Sequence, residues 1–225
     1  QNKGTFTVQK VVKDAGGSSA GFQGGGTRIF PVSYTCSLAG VTSPAKTLSA
    51  TTTGPVSSDP IPTGSSCVLA ENLTALAGDF GNDPSYEWVG TTGTFAPTSP
   101  ITIGSAANPV NVTLTNTFTR NLGSLTIAKT VVDPSNGYTG GTTQAFTGSY
   151  TCGSAAPVAF SVTNGASKVV STTIPVGTSC TVTETAPSGG LLNSSFQWAA
   201  ASYAPAAGTV TIPKTGSGLV TITNT

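Results

Sequence analysis

Two stretches of this chain read alike from end to end, and that duplication limits the possible folds more than any other feature. FPVSYTC, ending at Cys36, returns as FTGSYTC, ending at Cys152. IPTGSSC, ending at Cys67, returns as IPVGTSC, ending at Cys180, and VTLTNT over 112–117 returns as VTITNT over 220–225. The 225 residues are therefore two copies of one unit. Each copy has a little over about a hundred residues and is long enough to enclose its own core. We expect a first domain over 1–119 and a second over 120–225.

Within each copy, Thr, Ser, Gly, Val and Pro dominate, and long runs of helix-favouring residues are missing. Short strands with frequent turns follow, so the class is all-β. About seven strands per copy fit a Greek-key β-sandwich. Strands are expected at Thr5–Val12, Ile29–Leu38, Cys67–Glu71, Tyr86–Val89, Thr98–Ile103 and Val110–Thr117 in the first copy, with one or two short ones between Val41 and Pro62. The second copy follows the same plan, with FQWA over 196–199 as a further strand. Asn164-Gly165, set between Val158–Val162 and Lys168–Thr173, signals a hairpin. Ala15–Gly26 is glycine-rich and reads as a mobile loop, and Trp88 and Trp198, at matching places in the copies, read as core residues. The connector Phe118–Gly123 has no flexible Gly/Ser tract, which suggests a monomeric rod of two domains end to end.

Side chains alternate faces along a strand, and this exposes an anomaly. Phe6, Val8, Lys10 and Val12 share a face, as do Leu125, Ile127, Lys129 and Val131, so both lysines sit on apolar faces. Asn116 aligns with Val112 and Leu114, and Asn224 with Val220 and Ile222. Glu71 aligns with Leu69, and Glu184 with Val182. Six polar groups aimed at cores need a chemical reason, because burying a charge without a partner is costly. Burial lowers the pKa of a lysine and raises that of a glutamate. A buried site can therefore hold a neutral amine, which is a nucleophile, beside a protonated acid that can polarise an amide and carry protons. If the first and last strands lie side by side, about 4.8 Å apart, each lysine reaches its asparagine. The ordinary reading is that the lysines snorkel outward and that strand phase slips at a bulge; recurrence of all three residues in matching phase argues against it.

The four cysteines allow three pairings. Repeat symmetry favours Cys36 with Cys67 and Cys152 with Cys180, each closing a loop of about 30 residues worth roughly 3 to 4 kcal/mol in the chain-entropy model. Disulfides imply an exported protein. Charged residues make up only 8% of the chain and the net charge is +1, which argues against a nucleic-acid partner. The absence of histidine removes the commonest metal ligand and general base, and neither a metal nor a cofactor is expected. No apolar run approaches the roughly 18 residues of a membrane span, so no membrane contact is expected within this chain, which reads as a piece of something longer. Asp79, Asp83 and Glu87 are spaced for a cation loop but do not meet the EF-hand pattern.

A lysine in the first strand, a glutamate in CTVTETAPSG and an asparagine in the closing VTITNT resemble Cna B-type domains, the stalk modules of Gram-positive adhesins and pilins. The resemblance covers both copies nearly end to end. It implies an intramolecular isopeptide bond between Lys10 and Asn116 with Glu71 assisting, and another between Lys129 and Asn224 with Glu184 assisting. The second copy is the closer match, since ETAPSG keeps the Ala-Pro that the first replaces with ENLTAL. The cysteine pairs depart from the usual pilin pattern and look more like repeats of actinobacterial surface proteins. The expected role is structural. The chain would be part of a stalk on the bacterial cell surface or cell wall, carrying a tip outside this sequence toward an extracellular ligand, and not a turnover enzyme. The alternative is a module that itself binds host protein or glycan, with Leu76–Tyr86 as the loop to do it.

Overall fold

The computed structural model describes residues 2–225. The chain divides into two compact units, the first ending at Thr119 and the second spanning Arg120–Thr225. The first unit contains β1 (Lys3–Gly4), β2 (Phe6–Asp14), β3 (Phe30–Leu38), β4 (Val41–Thr42), β5 (Lys46–Ala50), β6 (Val56–Ser57), β7 (Ile61–Pro62), β8 (Ser66–Glu71), β9 (Tyr86–Trp88), β10 (Thr94–Ala96), β11 (Ile101–Thr102) and β12 (Val110–Arg120). The second contains β13 (Leu122–Val131), β14 (Ala145–Cys152), β15 (Val158–Thr163), β16 (Ser167–Pro175), β17 (Ser179–Glu184), β18 (Ser202–Ala204), β19 (Thr209–Thr211) and β20 (Ser217–Asn224). Among the described residues, helix is confined to short 3-10 turns such as Ala77–Phe80.

Each unit is a sandwich of two main sheets, the all-β architecture expected from the sequence, and in the first unit β1 and β7 form a separate two-stranded ladder. In the first, one sheet runs β10-β12-β2-β6 with β9 also on β12, and the other runs β11-β8-β3-β4 with β5 also on β3. In the second, the sheets run β16-β13-β20-β18 and β15-β14-β17-β19. Alternation sets what lies between them. Phe6 and Val8 from β2, Val112 and Leu114 from β12, Val32 and Tyr34 from β3, and Leu69 from β8 form one core. Leu125, Ile127, Val182, Val220 and Ile222 form its counterpart. Cys36 stands opposite Cys67 in the β3–β8 ladder, and Cys152 opposite Cys180 in the β14–β17 ladder. Both pairs are disulfide-bonded, so each bridge ties neighbouring strands of one sheet.

In both units the first long strand and the last are neighbours and run parallel: β2 pairs β12, and β13 pairs β20. Parallel neighbours cannot be joined by a tight turn. Here the whole sandwich is the crossover, and the first and last strands of each unit lie side by side in one sheet with the chain entering at one end and leaving at the other.

Four local expectations change. Val158–Thr163 and Ser167–Pro175 do not form a hairpin; β15 pairs β14, while β16 pairs β13 in the other sheet. The two-residue I′ turn needs positive φ at both central residues, and only Gly165 has it. Asn164 instead accepts from the backbone N–H of Val131 through Oδ1, and the Gly165 N–H donates to the Lys129 carbonyl, so the turn crosses between sheets. FQWA is not a strand, and the strand beside β20 is Ser202–Ala204. Val41–Pro62 holds four short strands because its prolines interrupt the ladder repeatedly. The Ala15–Gly26 stretch is pinned: Phe22 packs on Phe30 and Trp88, and the Gln23 N–H donates to the Asp79 carbonyl.

Candidate functional site

Strand register brings the three polar residues of each unit together in the same way. Lys10 lies opposite Leu114 and Asn116 opposite Val12; Lys129 lies opposite Ile222 and Asn224 opposite Val131. The asparagine is thus two residues further along the neighbouring parallel strand, on the same face. Such a diagonal separates backbones by roughly 7 to 8 Å, which a four-carbon lysine stem spans. The acid comes from the facing sheet. Glu71, at the end of β8, is opposite Val32, and Glu184, at the end of β17, is opposite Gly148; Val32 and Gly148 are equivalent positions of the two copies.

All six side chains point inward. Lys10, Asn116, Lys129 and Asn224 are buried, and both glutamate side chains are at most 1% exposed. Lys10 Nζ is 3.5 Å from Glu71 Oε1, and Lys129 Nζ is 3.3 Å from Glu184 Oε1. Burial pushes the Lys10 amine down to about 8, outweighing the Glu71 carboxylate, which pulls it up; nearby Arg28 adds to the lowering. Lys129 is lowered as well, again by burial acting against Glu184. In the first unit the acid's oxygens divide their contacts. Oε1 faces the amine, while Oε2 accepts from Asn116 Nδ2 at 2.8 Å and from the Gly93 N–H at 2.7 Å.

Many polar atoms here lack a hydrogen-bond partner. Among the described residues, the buried side-chain atoms without one are Lys10 Nζ, Glu71 Oε1, Asn116 Oδ1, both carboxylate oxygens of Glu184, both amide atoms of Asn224, and Gln144 Oε1. All but the last belong to the two sites. An unpaired buried donor or acceptor costs about 1 to 3 kcal/mol, so the free side chains are a poor end state for either core.

Sequence reasoning missed the wall around each amine. Lys10 Nζ lies 4.4 Å from the centroid of the Phe30 ring, and Lys129 Nζ lies 4.3 Å from that of Phe146. Trp88 meets Phe30 edge-on and Trp198 meets Phe146 edge-on, at 6.1 and 5.9 Å. The signal was in the duplication, since each phenylalanine stands six residues before the first cysteine of its copy. Neither tryptophan is fully buried. Trp88 Nε1 donates to Asp79 Oδ2, whereas Trp198 Nε1 donates to the Gly189 carbonyl. Asp79 also holds Arg28 at 2.7 Å and accepts from the Leu76 N–H. Its carboxylate faces inward onto these groups, so it does not join Asp83 and Glu87 in an outward-facing cation loop. Arg28 in turn lies 4.8 Å from the Phe30 centroid.

A family model described as a domain of unknown function, DUF5979, matches the chain twice, over residues 6–119 and 125–225. No curated protein shows significant sequence similarity to it. Among solved structures, the chain is similar to the major pilin T3.2 of Streptococcus pyogenes serotype GAS13637, at 12% identity and a TM-score of 0.43, with 100% of this chain and 98% of that one covered. It is similar to a C-terminal fragment of the pilus adhesin SpaC of Lactobacillus rhamnosus GG, at 14% identity and a TM-score of 0.46, covering 99% and 96%. A Mobiluncus mulieris adhesin described as containing intramolecular disulfide, isopeptide and ester bond cross-links is similar at 14% identity and a TM-score of 0.35, covering 89% and 85%.

Proposed function

The chain belongs to the DUF5979 family, with one copy of the domain in each unit, and from that premise we propose that each copy cross-links itself once, Lys10 to Asn116 and Lys129 to Asn224. The observation that carries the reading is the concentration of unpaired buried polar atoms in the two sites. Bond formation removes the cause: the amine nitrogen becomes an amide nitrogen, Nδ2 leaves, and the buried ammonium–carboxylate pair disappears.

The reaction balances without an added reagent. A proton passes from the lysine ammonium to the glutamate, leaving a neutral amine and a carboxylic acid. Nζ attacks Cγ of the asparagine. The acid gives its proton to the departing Nδ2 and takes one from the attacking nitrogen, so that the Cγ–Nδ2 bond breaks, ammonia leaves and the carboxyl is regenerated. In the first unit Glu71 is disposed for this exchange, with Oε1 toward the nucleophile and Oε2 on the leaving nitrogen.

The role that fits is structural: a module of an extracellular bacterial surface protein of the adhesin or pilin kind, with ligand recognition left to parts outside this sequence. The linked strands are the first and last of each unit and run parallel. Tension applied at the two ends of a unit then passes through a covalent bond, and the residues between stay folded. A glycan- or protein-binding role for Leu76–Tyr86 has less support, because Trp88 spends its N–H on Asp79 and its ring on Phe30, Phe22 and Phe80. Tandem mass spectrometry of a proteolytic digest tests the reading. It should recover branched peptides joining Lys10 to Asn116 and Lys129 to Asn224; linear peptides carrying free Lys129 and Asn224 as the main species would overturn it.

A further inference from the structure

One of the differences between the two copies lies beside the catalytic carboxylate. Thr94 pairs with Thr115, the residue before Asn116, and Ser202 pairs with Thr223, the residue before Asn224, so Gly93 and Ala201 are equivalent. The Gly93 N–H donates to Glu71 Oε2. A Cβ at Gly93 would stand 2.7 Å from that oxygen, 2.5 Å from Leu114 Cδ1 and 2.9 Å from the Thr115 carbonyl. Only a residue without a side chain lets the backbone come this close. In the second unit, where alanine fills the position, neither oxygen of Glu184 has a hydrogen-bond partner.

We propose that Gly93 is a positioning residue for cross-linking in the first unit: its backbone N–H fixes the Glu71 carboxylate so that one oxygen serves the lysine and the other the leaving amide. The inference rests on the cross-linking reading above. Carboxylate rotation about its last bond would otherwise be restrained only by Lys10 and Asn116, both of which change during the reaction. Gly93 changes in neither bonding nor charge, and it anchors Oε2 from start to finish. Glu184 lacks that anchor, so its orientation depends on Lys129 alone. The second site is therefore the less organised of the two before reaction, although its sequence is the closer match to the family pattern.

The test uses the full chain made by cell-free translation, with ammonia loss from each unit followed over time by peptide mapping. Gly93→Ala should slow closure of the first unit by about ten- to a hundredfold, the scale that small misplacements of reacting groups produce, and leave the second unit unchanged as an internal control. Ala201 in the second copy shows that alanine is compatible with this sandwich, and formation of the Cys36–Cys67 bridge checks folding. Ala201→Gly should speed the second unit severalfold. A structural role alone would lower the rate equally at every pH. A lost anchor instead acts on the proton-transfer step that Glu71 serves, so the shape of the rate profile with pH should change in Gly93→Ala. The charged groups at the site are Lys10, which faces Glu71, and Arg28, which is paired with Asp79 and shares the Phe30 ring with Lys10; all are intact in the variant. Unchanged rates in both variants, or a uniform slowing with no change of profile, would overturn the assignment. Full retention of ammonia in both units of the wild type would instead overturn the cross-linking reading and this inference with it.

Discussion

Asn116→Leu separates a bonded lysine from a merely buried one. Leucine keeps the branched shape of the side chain but offers no amide to attack, so Lys10 stays a free amine in a closed core. Burial holds that amine at about 8 instead of 10.5. Below about pH 8 the amine is charged in both the folded and the unfolded chain, and folding bears the full cost of burying the charge. Between about 8 and 10.5 the folded protein has released the proton and the unfolded chain has not, so the cost shrinks as pH rises. At 1.36 kcal/mol per pKa unit the first unit of the variant should gain about 3 kcal/mol across that window. On the cross-linking reading the wild-type nitrogen is acylated, and this gain should be absent there. Each unit has a single tryptophan, Trp88 or Trp198, so urea unfolding in a Trp198→Phe background, followed by fluorescence at pH 8 and pH 10, reads the first unit alone. Equal pH slopes in wild type and variant would refute the argument, because both amines would then be titrating or both silent.

Two further outcomes follow from the same geometry. Glu184→Ala and Lys129→Ala should both lose the second bond and migrate differently from wild type on a reducing denaturing gel. Glu184→Ala should be the less stable, since stranding a buried charge costs about 3 to 5 kcal/mol, whereas Lys129→Ala leaves a carboxyl that can take up a proton; full cross-linking of Glu184→Ala at the wild-type rate would remove the acid from the mechanism. Arg28→Ala leaves the buried Asp79 carboxylate without its cation and should destabilise the first unit by a similar 3 to 5 kcal/mol with a shift in Trp88 emission. The second unit, which has Gln144 at that position, should not respond.

Much of this was legible in the sequence because it depends on period and repetition. Alternation alone placed Lys10 with Phe6 and Val8, and Asn116 with Val112 and Leu114, and those residues are buried together. The all-β sandwich and the cysteine pairing followed from composition and symmetry. What failed depended on local geometry that residue types do not encode. Asn164-Gly165 carries the composition of a hairpin turn, yet it crosses between sheets because its polar groups find better partners on β13. Phe146 stands in a repeated motif that assigns it no role, since only the fold sets its ring beside the lysine amine. Gly93 gave no signal, because the second copy has alanine there and the value of a missing Cβ shows only when the carboxylate is in place.

The most direct measurement is the intact mass of the reduced chain. Two bonds predict a mass below that of the sequence by two ammonias, with four further hydrogens missing until the two disulfides are reduced. Cyclisation of an N-terminal Gln1 also releases one ammonia, so peptide mapping must assign each loss to the Lys10–Asn116 and Lys129–Asn224 pairs. A reduced chain at its full sequence mass, with both lysines recovered as free amines, would contradict the account.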